Sequence, residues 1–308
     1  MSRGHITVVG SYVVDLMSRT PHMPKPGETV LGGPFRMGPG GKGGNQAVAA
    51  ARQGSQVYMV TKVGDDQFGK DALQNFINEN IETRYVFVDQ KEATGAALIA
   101  VDNNSENMIV VALGACGKLT ADDVAKAEET IRDSSVVLVQ LETSIEAVTT
   151  TLALAAKHHV PVILNPAPYQ EFPQELLKNV TYITPNETEA SLLTGIEVID
   201  EETANQAAKM LFDRGVPQIV ITLGKKGCYY YSGGDSGMLY PGFPVAAVDT
   251  TGAGDAFNGG FAHALAKKSS MEEAIRYANA VAALSVTKAG TAPAMPTKEE
   301  VARFLHNC

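Results

Sequence analysis

Residues Ala247 to Gly260 read AVDTTGAGDAFNGG, and the fold turns on how this stretch is understood. Gly252 and Gly254 bracket Ala253 directly ahead of an apolar run at helical spacing, Phe257, Phe261 and Leu265. Glycines at that point predict a tight turn into a helix N-terminus. There, unpaired backbone N–H groups and the positive end of the helix dipole favour an anion. Asp255 falls in the first turn. On one reading its carboxylate is a helix-terminal charge or cap. On the other it is an acid beside a preformed anion site, suited to deprotonating a hydroxyl that attacks a phosphoryl group held close by.

Upstream of this stretch, QIVITLGKKG is a strand running into a glycine turn, so Thr222, Gly224, Lys225 and Gly227 belong at one sheet edge. From Val136 the pattern alternates: VVLVQ, a helix from Ser144, PVILN, a short helix, TYIT, and a helix after Pro185. That repetition predicts βαβ units, a parallel sheet with helices on both faces, and ligands at the carboxyl ends of its strands. Glu142 stands two residues past its strand, as a rim acid or a ligand; Asn165 after PVIL is read as structural. PNETE places Asn186 at an N-cap, and capping alone would explain both Asn186 and the acids of the following turn.

Toward the N-terminus, Ile6 to Gly10 is a buried parallel strand ended by glycine. Asp15 follows among Val13, Val14 and Leu16, a turn acid or a ligand by pattern alone. Met17 to Met37, rich in proline and glycine, predicts irregular strands. Gly40 to Gly54 opens with glycines and becomes an alanine-rich helix, Gln46 to Arg52. Lys42, framed by glycines, reads as a solvated charge or as a hydroxyl or phosphate donor. Val57 to Val63 predicts a strand, and Asp66 to Glu79 a helix with Phe68, Ala72, Leu73, Phe76 and Ile77 on one face. Gly95 to Val101 and Met108 to Leu113, around the turn DNNSEN, predict a hairpin. Past the opening stretch lie an alanine-rich helix, Met271 to Thr287, with Asn279 in its middle, and a loop of turn formers, Val286 to Pro296.

At 308 residues and 44% hydrophobic composition the chain can bury a sizeable core. Its formal charge of −9 argues against a nucleic-acid or anionic-membrane surface. The N-terminal apolar run is too short for a secretory signal, and no run approaches the length of a membrane span, so a soluble cytoplasmic protein is expected. Cys116, Cys228 and Cys308 are odd in number and widely spaced, as in a reducing compartment. There is no Walker-type GxxxxGK[ST], and no HRD or DFG set.

DTTGAGDAF resembles the C-terminal signature of the ribokinase family of carbohydrate kinases. GGKGGNQAVAAARQG (Gly40 to Gly54) resembles its N-terminal signature, and PNETE and TLGKKG resemble its nucleotide-side motifs. The four stand in family order, over about Ile6 to Pro296. The resemblance implies a single α/β domain over 1–308. Its doubly wound, mostly parallel sheet is flanked by helices and carries a small β lid from about 13–37 and 94–113, which pairs with a second subunit's lid in a homodimer. It also implies ATP, Mg2+ and a monovalent cation, K+, with phosphoryl transfer to the terminal hydroxyl of a furanose, a pentose first. Asp255 would be the base, with the backbone of Gly252, Ala253 and Gly254 facing the developing charge. The sugar would meet Val13, Asp15, Gly41, Lys42, Asn45 and Glu142. The nucleotide would meet Asn186, Thr222, Gly224, Lys225, Gly227 and Asn279, and Glu189 would hold magnesium through water. Asp249 and the carbonyl of Thr251, with the loop's Ser285, Lys288 and Gly290, would hold potassium. Ala294 lacks the hydroxyl that often completes that cage. Val13 departs from the family's ribose kinases, which carry asparagine there, and matches its 2-deoxyribose kinases, which carry an apolar residue. Hexose and nucleoside kinases share the fold, as would a sugar-binding regulator that lost catalysis, against which the intact Asp255 loop speaks.

Overall fold

Strand Ser134–Gln140 shows how the layers arise. Val136 and Leu138 enter an apolar cluster with Ala49, Phe261 and Val281, whereas Val137 and Val139 enter a second with Val148, Leu152 and Leu211. His5–Val9 splits the same way, Ile6 and Val8 against Val9. Strands buried on both faces need a helical layer on each, which is why they read as unbroken apolar runs. One layer holds Lys42–Arg52, Gln67–Asn78, Ala253–Ala266, Met271–Ser285 and Lys298–His306; the other holds Ile145–Lys157, Glu187–Thr194 and Glu201–Asp213.

The structure is a computed structural model that describes residues 4–104 and 106–308. Its main sheet has nine strands in the order Met238–Pro241, Gly227–Tyr231, Gln218–Thr222, Tyr182–Ile183, Val162–Asn165, Ser134–Gln140, His5–Val9, Gln56–Gly64, Ile81–Asp89. Pairing is parallel from Gln218–Thr222 onward. Only the hairpin at the other edge is antiparallel. The doubly wound expectation holds. Among the described residues, no helix is long and apolar enough to cross a membrane.

The lid is a second sheet of four strands, Phe35–Gly40, Val13–Arg19, Thr94–Val101 and Asn107–Gly114, in that order. Val13–Arg19 lies inside this sheet, and of the stretch Met17 to Met37, expected to be irregular strands, only the two ends are strand, with no strand over 20–34. The antiparallel pairing of Val13–Arg19 to Phe35–Gly40 and its parallel pairing to Thr94–Val101 satisfy its backbone on both sides. Thr94–Val101 and Asn107–Gly114 form the expected hairpin; Ser105, within its predicted turn, lies outside the described residues.

Two helix starts differ from expectation. Asp66 caps its helix instead of beginning it, accepting from the Gly69 N–H at 2.8 Å. The helix predicted from Gln46 begins at Lys42, because Gly43 fits where no other residue would. A Cβ there would lie 2.7 Å from both the N and the O of Ser11.

Candidate active site

Helix Ala253–Ala266 is entered through Gly252, whose φ of 79° is left-handed and suits glycine. The helix then lies between two others at backbone contact. A Cβ on Gly259 would stand 2.4 Å from the Ala49 Cβ and 2.7 Å from the Gln46 carbonyl oxygen, and one on Gly260 would stand 2.8 Å from Val281 Cγ2. This closeness brings the buried Asp255 against helix Lys42–Arg52. Asn45 Nδ2 donates to Asp255 Oδ2 at 3.0 Å, and Gln46 Nε2 to Oδ1 at 2.9 Å. Gln46 also donates to Asn165 Oδ1 at 3.0 Å, and its Oε1 accepts from Gln140 Nε2 at 2.7 Å. Asn165, read as structural, anchors this network through the Thr184 carbonyl as well.

The acids of the sugar-side expectation converge with Lys42. Glu142 Oε2 accepts from the Ser11 hydroxyl at 2.5 Å and from the Lys42 backbone N–H at 2.7 Å. Burial works to lower the Lys42 pKa, but the carboxylates of Asp255, Glu142 and Glu189 outweigh it and hold the ammonium charged. Asp15 is pushed up to about 6 by burial; a hydrogen bond from Thr291 opposes the shift, and the charges of Glu142 and Asp255 add to it. Gly41, at φ 83°, presses its backbone against Tyr12 and Val13, where a Cβ would meet the Val13 nitrogen at 2.7 Å. Asn45 Oδ1 is buried without a partner, an acceptor that a ligand hydroxyl would satisfy. Val13 itself, the first residue of its lid strand, is only 2% exposed and packs with Ala97 and Cys116.

A small cavity of about 150 Å³ opens beside the glycine turn, and Lys42, Asn186, Glu189, Thr222 and the stretch Gly252 to Asp255 all line it. Asn186 and Glu189 form a capping box, Asn186 Oδ1 accepting from the Glu189 N–H at 2.8 Å and Glu189 Oε2 from the Asn186 N–H at 3.0 Å. Burial raises the Glu189 pKa, against the Asn186 hydrogen bond and the charge of Lys42. Asn258 fixes the turn from behind, donating to the Gly254 carbonyl at 2.8 Å while accepting from the Thr184 hydroxyl at 2.6 Å. Gly224, Lys225 and Gly227 are not among the lining residues; Gly224 and Lys225 sit in an exposed turn just beyond it. Gly227 has its own structural reason, since a Cβ would strike the Tyr240 carbonyl oxygen at 2.1 Å. Asn279 is buried on its helix with its amide toward the Pro241 carbonyl at 3.4 Å.

A larger cleft of about 480 Å³ lies between lid and loop, lined among others by Asp15, Arg36, Asp249, Thr251, Gly290 and Thr291. Asp249 joins the two loops, accepting from the Thr251 N–H and the Gly290 N–H at 3.0 Å each. Burial works to raise its pKa, but these donors prevail and hold it below the usual value. Its ionised carboxylate is the hard, negatively charged oxygen donor that a monovalent cation takes. Ser285 turns its hydroxyl to the Ala282 carbonyl at 2.8 Å, and Lys288 pairs with Glu300 at 2.7 Å, which leaves their backbones as what each could offer an ion.

Sequence reasoning missed Gln46, Gln140, Asn258 and Thr291. A signal existed for the first: Asn45 and Gln46 are consecutive polar residues in a helix that is otherwise glycine, alanine and valine between Lys42 and Arg52.

The pfkB family carbohydrate kinase model matches residues 3–298. Among curated proteins, the chain is 45% identical over 305 residues to a ribokinase of Haemophilus influenzae, covering 99% of both. It is 40% identical over 301 residues to a deoxyribokinase of Salmonella typhi, covering 97% of this chain and 98% of that one. Among solved structures, ribokinase of Arabidopsis thaliana complexed with ribose and ATP superposes with a TM-score of 0.91 at 33% identity, covering 98% of each chain. A match that runs nearly end to end through the lid, the glycine turn and the clamped Asp255 leaves one conclusion: this chain belongs to the pfkB family of carbohydrate kinases.

Proposed function

We propose that this protein transfers the γ-phosphoryl group of ATP to the 5-hydroxyl of a pentose, ribose first. The observation that carries the reading is Asp255, a buried carboxylate gripped by an amide on each oxygen at the mouth of a glycine-entered helix. Asp255 takes the proton of the attacking hydroxyl. The helix entry at Gly252 to Asp255 faces the charge that develops on the transferred group, with the Ala253 N–H bound to the Thr250 carbonyl at 3.2 Å until a ligand arrives, and Lys42 opposes that charge as well. Positioning and charge stabilisation supply most of the acceleration in phosphoryl transfer, so no covalent intermediate is needed. Asp15, Gly41, Asn45 and the unengaged oxygen of Glu142 hold the sugar hydroxyls. Asn186, Thr222 and the backbone of Gly224 to Gly227 receive the phosphates, and Asn279 meets the adenine edge. Magnesium, bound with the nucleotide, would neutralise the phosphate charge, with Glu189 the residue placed to hold it through water. A potassium ion held by Asp249 and the carbonyls of Thr251, Ser285, Lys288 and Gly290 would order the glycine turn. A cytoplasmic setting, with ATP at hand and the thiols of Cys116, Cys228 and Cys308 free, suits this activity.

A homodimer through the lid belongs to the same reading. Met37, Leu16, Leu98 and Val110 lie in register across one face of the lid, and Leu98 and Val110 are 54% and 63% exposed. A four-strand sheet with so much apolar surface in water is best stabilised by a second copy.

Val13 and the similarity to a deoxyribokinase support a second reading, 2-deoxyribose as the preferred sugar. The experiment is ADP release with ATP and a panel of D-ribose, 2-deoxy-D-ribose, D-fructose and adenosine. The pentose reading expects turnover with the first two. Turnover only with fructose or adenosine would replace it, and none with any sugar would favour a binding regulator. The 2-deoxyribose reading predicts that Val13→Asn shifts kcat/KM toward ribose; an unchanged ratio removes Val13 from specificity.

A further inference from the structure

Asn258 stands four residues past Gly254, so on helix Ala253–Ala266 the two share a face one turn apart. The side chains of Asn258 and Thr184 are buried. A carbonyl can only accept, so the end of the Asn258 amide that lies 2.8 Å from the Gly254 oxygen is its Nδ2 end. That turns Oδ1 to the Thr184 hydroxyl, which donates to it at 2.6 Å. Thr184 directly follows the sheet strand Tyr182–Ile183, so the series of bonds starts on the sheet. It runs one way, from the Thr184 hydroxyl to Asn258 Oδ1 and from Asn258 Nδ2 to the Gly254 oxygen.

That oxygen belongs to the peptide whose N–H is the N–H of Asp255. The peptide is planar and trans, so holding its oxygen on one side aims its N–H to the other. Asp255 is the third residue of the helix, where an N–H has no carbonyl of its own helix to bind. Asp255 and Asn258 both line the small cavity beside the turn. Among the described residues, a Cβ on Gly254 would meet nothing outside its own helix within 4 Å. No packing contact there steadies a residue whose backbone turns easily, which leaves the task to hydrogen bonds. Bonds strung donor to acceptor also polarise one another in a protein interior.

We infer that Asn258 is a positioning residue for phosphoryl transfer: through the Gly254 carbonyl it aims and polarises the Asp255 N–H toward the transferred group, and Thr184 keeps its amide the right way round. In that step the sugar oxygen bonds to phosphorus as the bond to the ADP oxygen breaks, and the hydroxyl proton passes to Asp255. The N–H meets the charge that develops during this exchange, so its aim counts for more in the transition state than in the bound substrates. The inference rests on the kinase reading and gives Asn258 no contact with either substrate.

The test compares the parent with Asn258→Leu, Thr184→Val and Thr184→Ser. Initial rates with ATP and either D-ribose or 2-deoxy-D-ribose give kcat and each KM. Calorimetry gives the affinity for ADP alone and for ADP with aluminium fluoride and the sugar, a mimic of the phosphoryl group in transfer. Deleting an anion-hole donor costs about 10²–10³ in kcat; here the N–H remains and only its aim is lost, so Asn258→Leu should lower kcat about tenfold with both KM values within about twofold. Affinity for the fluoride complex should fall by a similar factor while affinity for ADP alone holds. Thr184→Val, which frees the amide to turn over, should show the same pattern to a smaller extent, and Thr184→Ser should recover most of the loss. The inference is overturned if kcat in Asn258→Leu stays within threefold of the parent. It is also overturned if ADP and the fluoride complex weaken by one common factor, as a general loosening of the turn would do, or if the KM values rise as much as kcat falls. Should Asn258→Leu fail to fold, a Thr184→Val that matches Thr184→Ser in every reading overturns it. A parent that turns over neither sugar and binds no fluoride complex removes the kinase reading, and the inference with it.

Discussion

Gln46→Met removes hydrogen-bonding groups from a side chain with no exposed surface while nearly conserving its length and volume. Three bonds disappear: to Asp255 Oδ1 at 2.9 Å, to Asn165 Oδ1 at 3.0 Å and from Gln140 Nε2 at 2.7 Å. The first, to a charged acceptor, is worth about 1.5–3 kcal/mol and the neutral ones about 1 kcal/mol each. They share one side chain and do not add fully, so the expected loss is about 3–4 kcal/mol. For a chain of this size each kcal/mol lowers Tm by about 1.5 °C, which makes the drop about 5–6 °C. Turnover should fall as well, by about 10- to 100-fold, because a base held by Asn45 alone is no longer fixed in orientation. Scanning calorimetry measures the first quantity, and kcat at saturating sugar and ATP, well below both melting points, measures the second. A variant that melts within 2 °C of the parent and turns over within threefold of it refutes the claim that Gln46 holds the base.

Asp255→Asn should reduce turnover by about 10²–10⁴ while the fold and nucleotide binding persist; a rate within tenfold of the parent refutes Asp255 as general base. Asp15, at about 6, loses its sugar-accepting charge as pH falls through that value, so KM for the pentose should rise below about pH 6 while KM for ATP does not; a flat profile down to about pH 5 refutes this. Its effect on stability runs the other way. The folded chain binds this proton more tightly than the unfolded chain, whose carboxyl titrates near 3.8, so the group opposes folding at neutral pH and that opposition fades between about 6 and 3.8. Replacing potassium by sodium at saturating magnesium should slow the reaction, and equal rates would remove the ion site. Light scattering at micromolar concentration should report a dimer, and a monomer would refute the lid contact.

How much of this was legible depended on where each residue's partners lie. Val136 to Gln140 and Val162 to Asn165 read correctly because burial on both faces leaves an unbroken apolar run. Ile81–Asp89 was overlooked because, as an edge strand, it turns Glu82 and Arg84 outward and its apolar pattern breaks. The edge hairpin was passed over too, its tyrosines masking a short antiparallel pair. Gly43 and Gly44 looked like loop because their role is set by Ser11 and Tyr12 on a neighbouring element, which no local pattern reports. Asp255 was readable from its own turn. Its grip by Gln46 was not, since that contact spans 209 positions, and Thr291 to Asp15 spans 276.

Gly259 and Gly260 give the site a property that no ligand contact reveals. The helix bearing Asp255 is gauged by missing atoms: each hydrogen at those α-carbons marks a spacing that a methyl group would violate by several tenths of an ångström or more. Adding that methyl group wedges the helix off one neighbour or the other, and the base moves with it by a distance that phosphoryl transfer does not forgive. In a saturation survey scored by growth on the sugar, these two positions would therefore look as intolerant as the acid itself, although neither is a lining residue of the cavities beside it. These glycines thus constrain the chain as tightly as a residue that touches a ligand, through the packing they permit rather than through any contact.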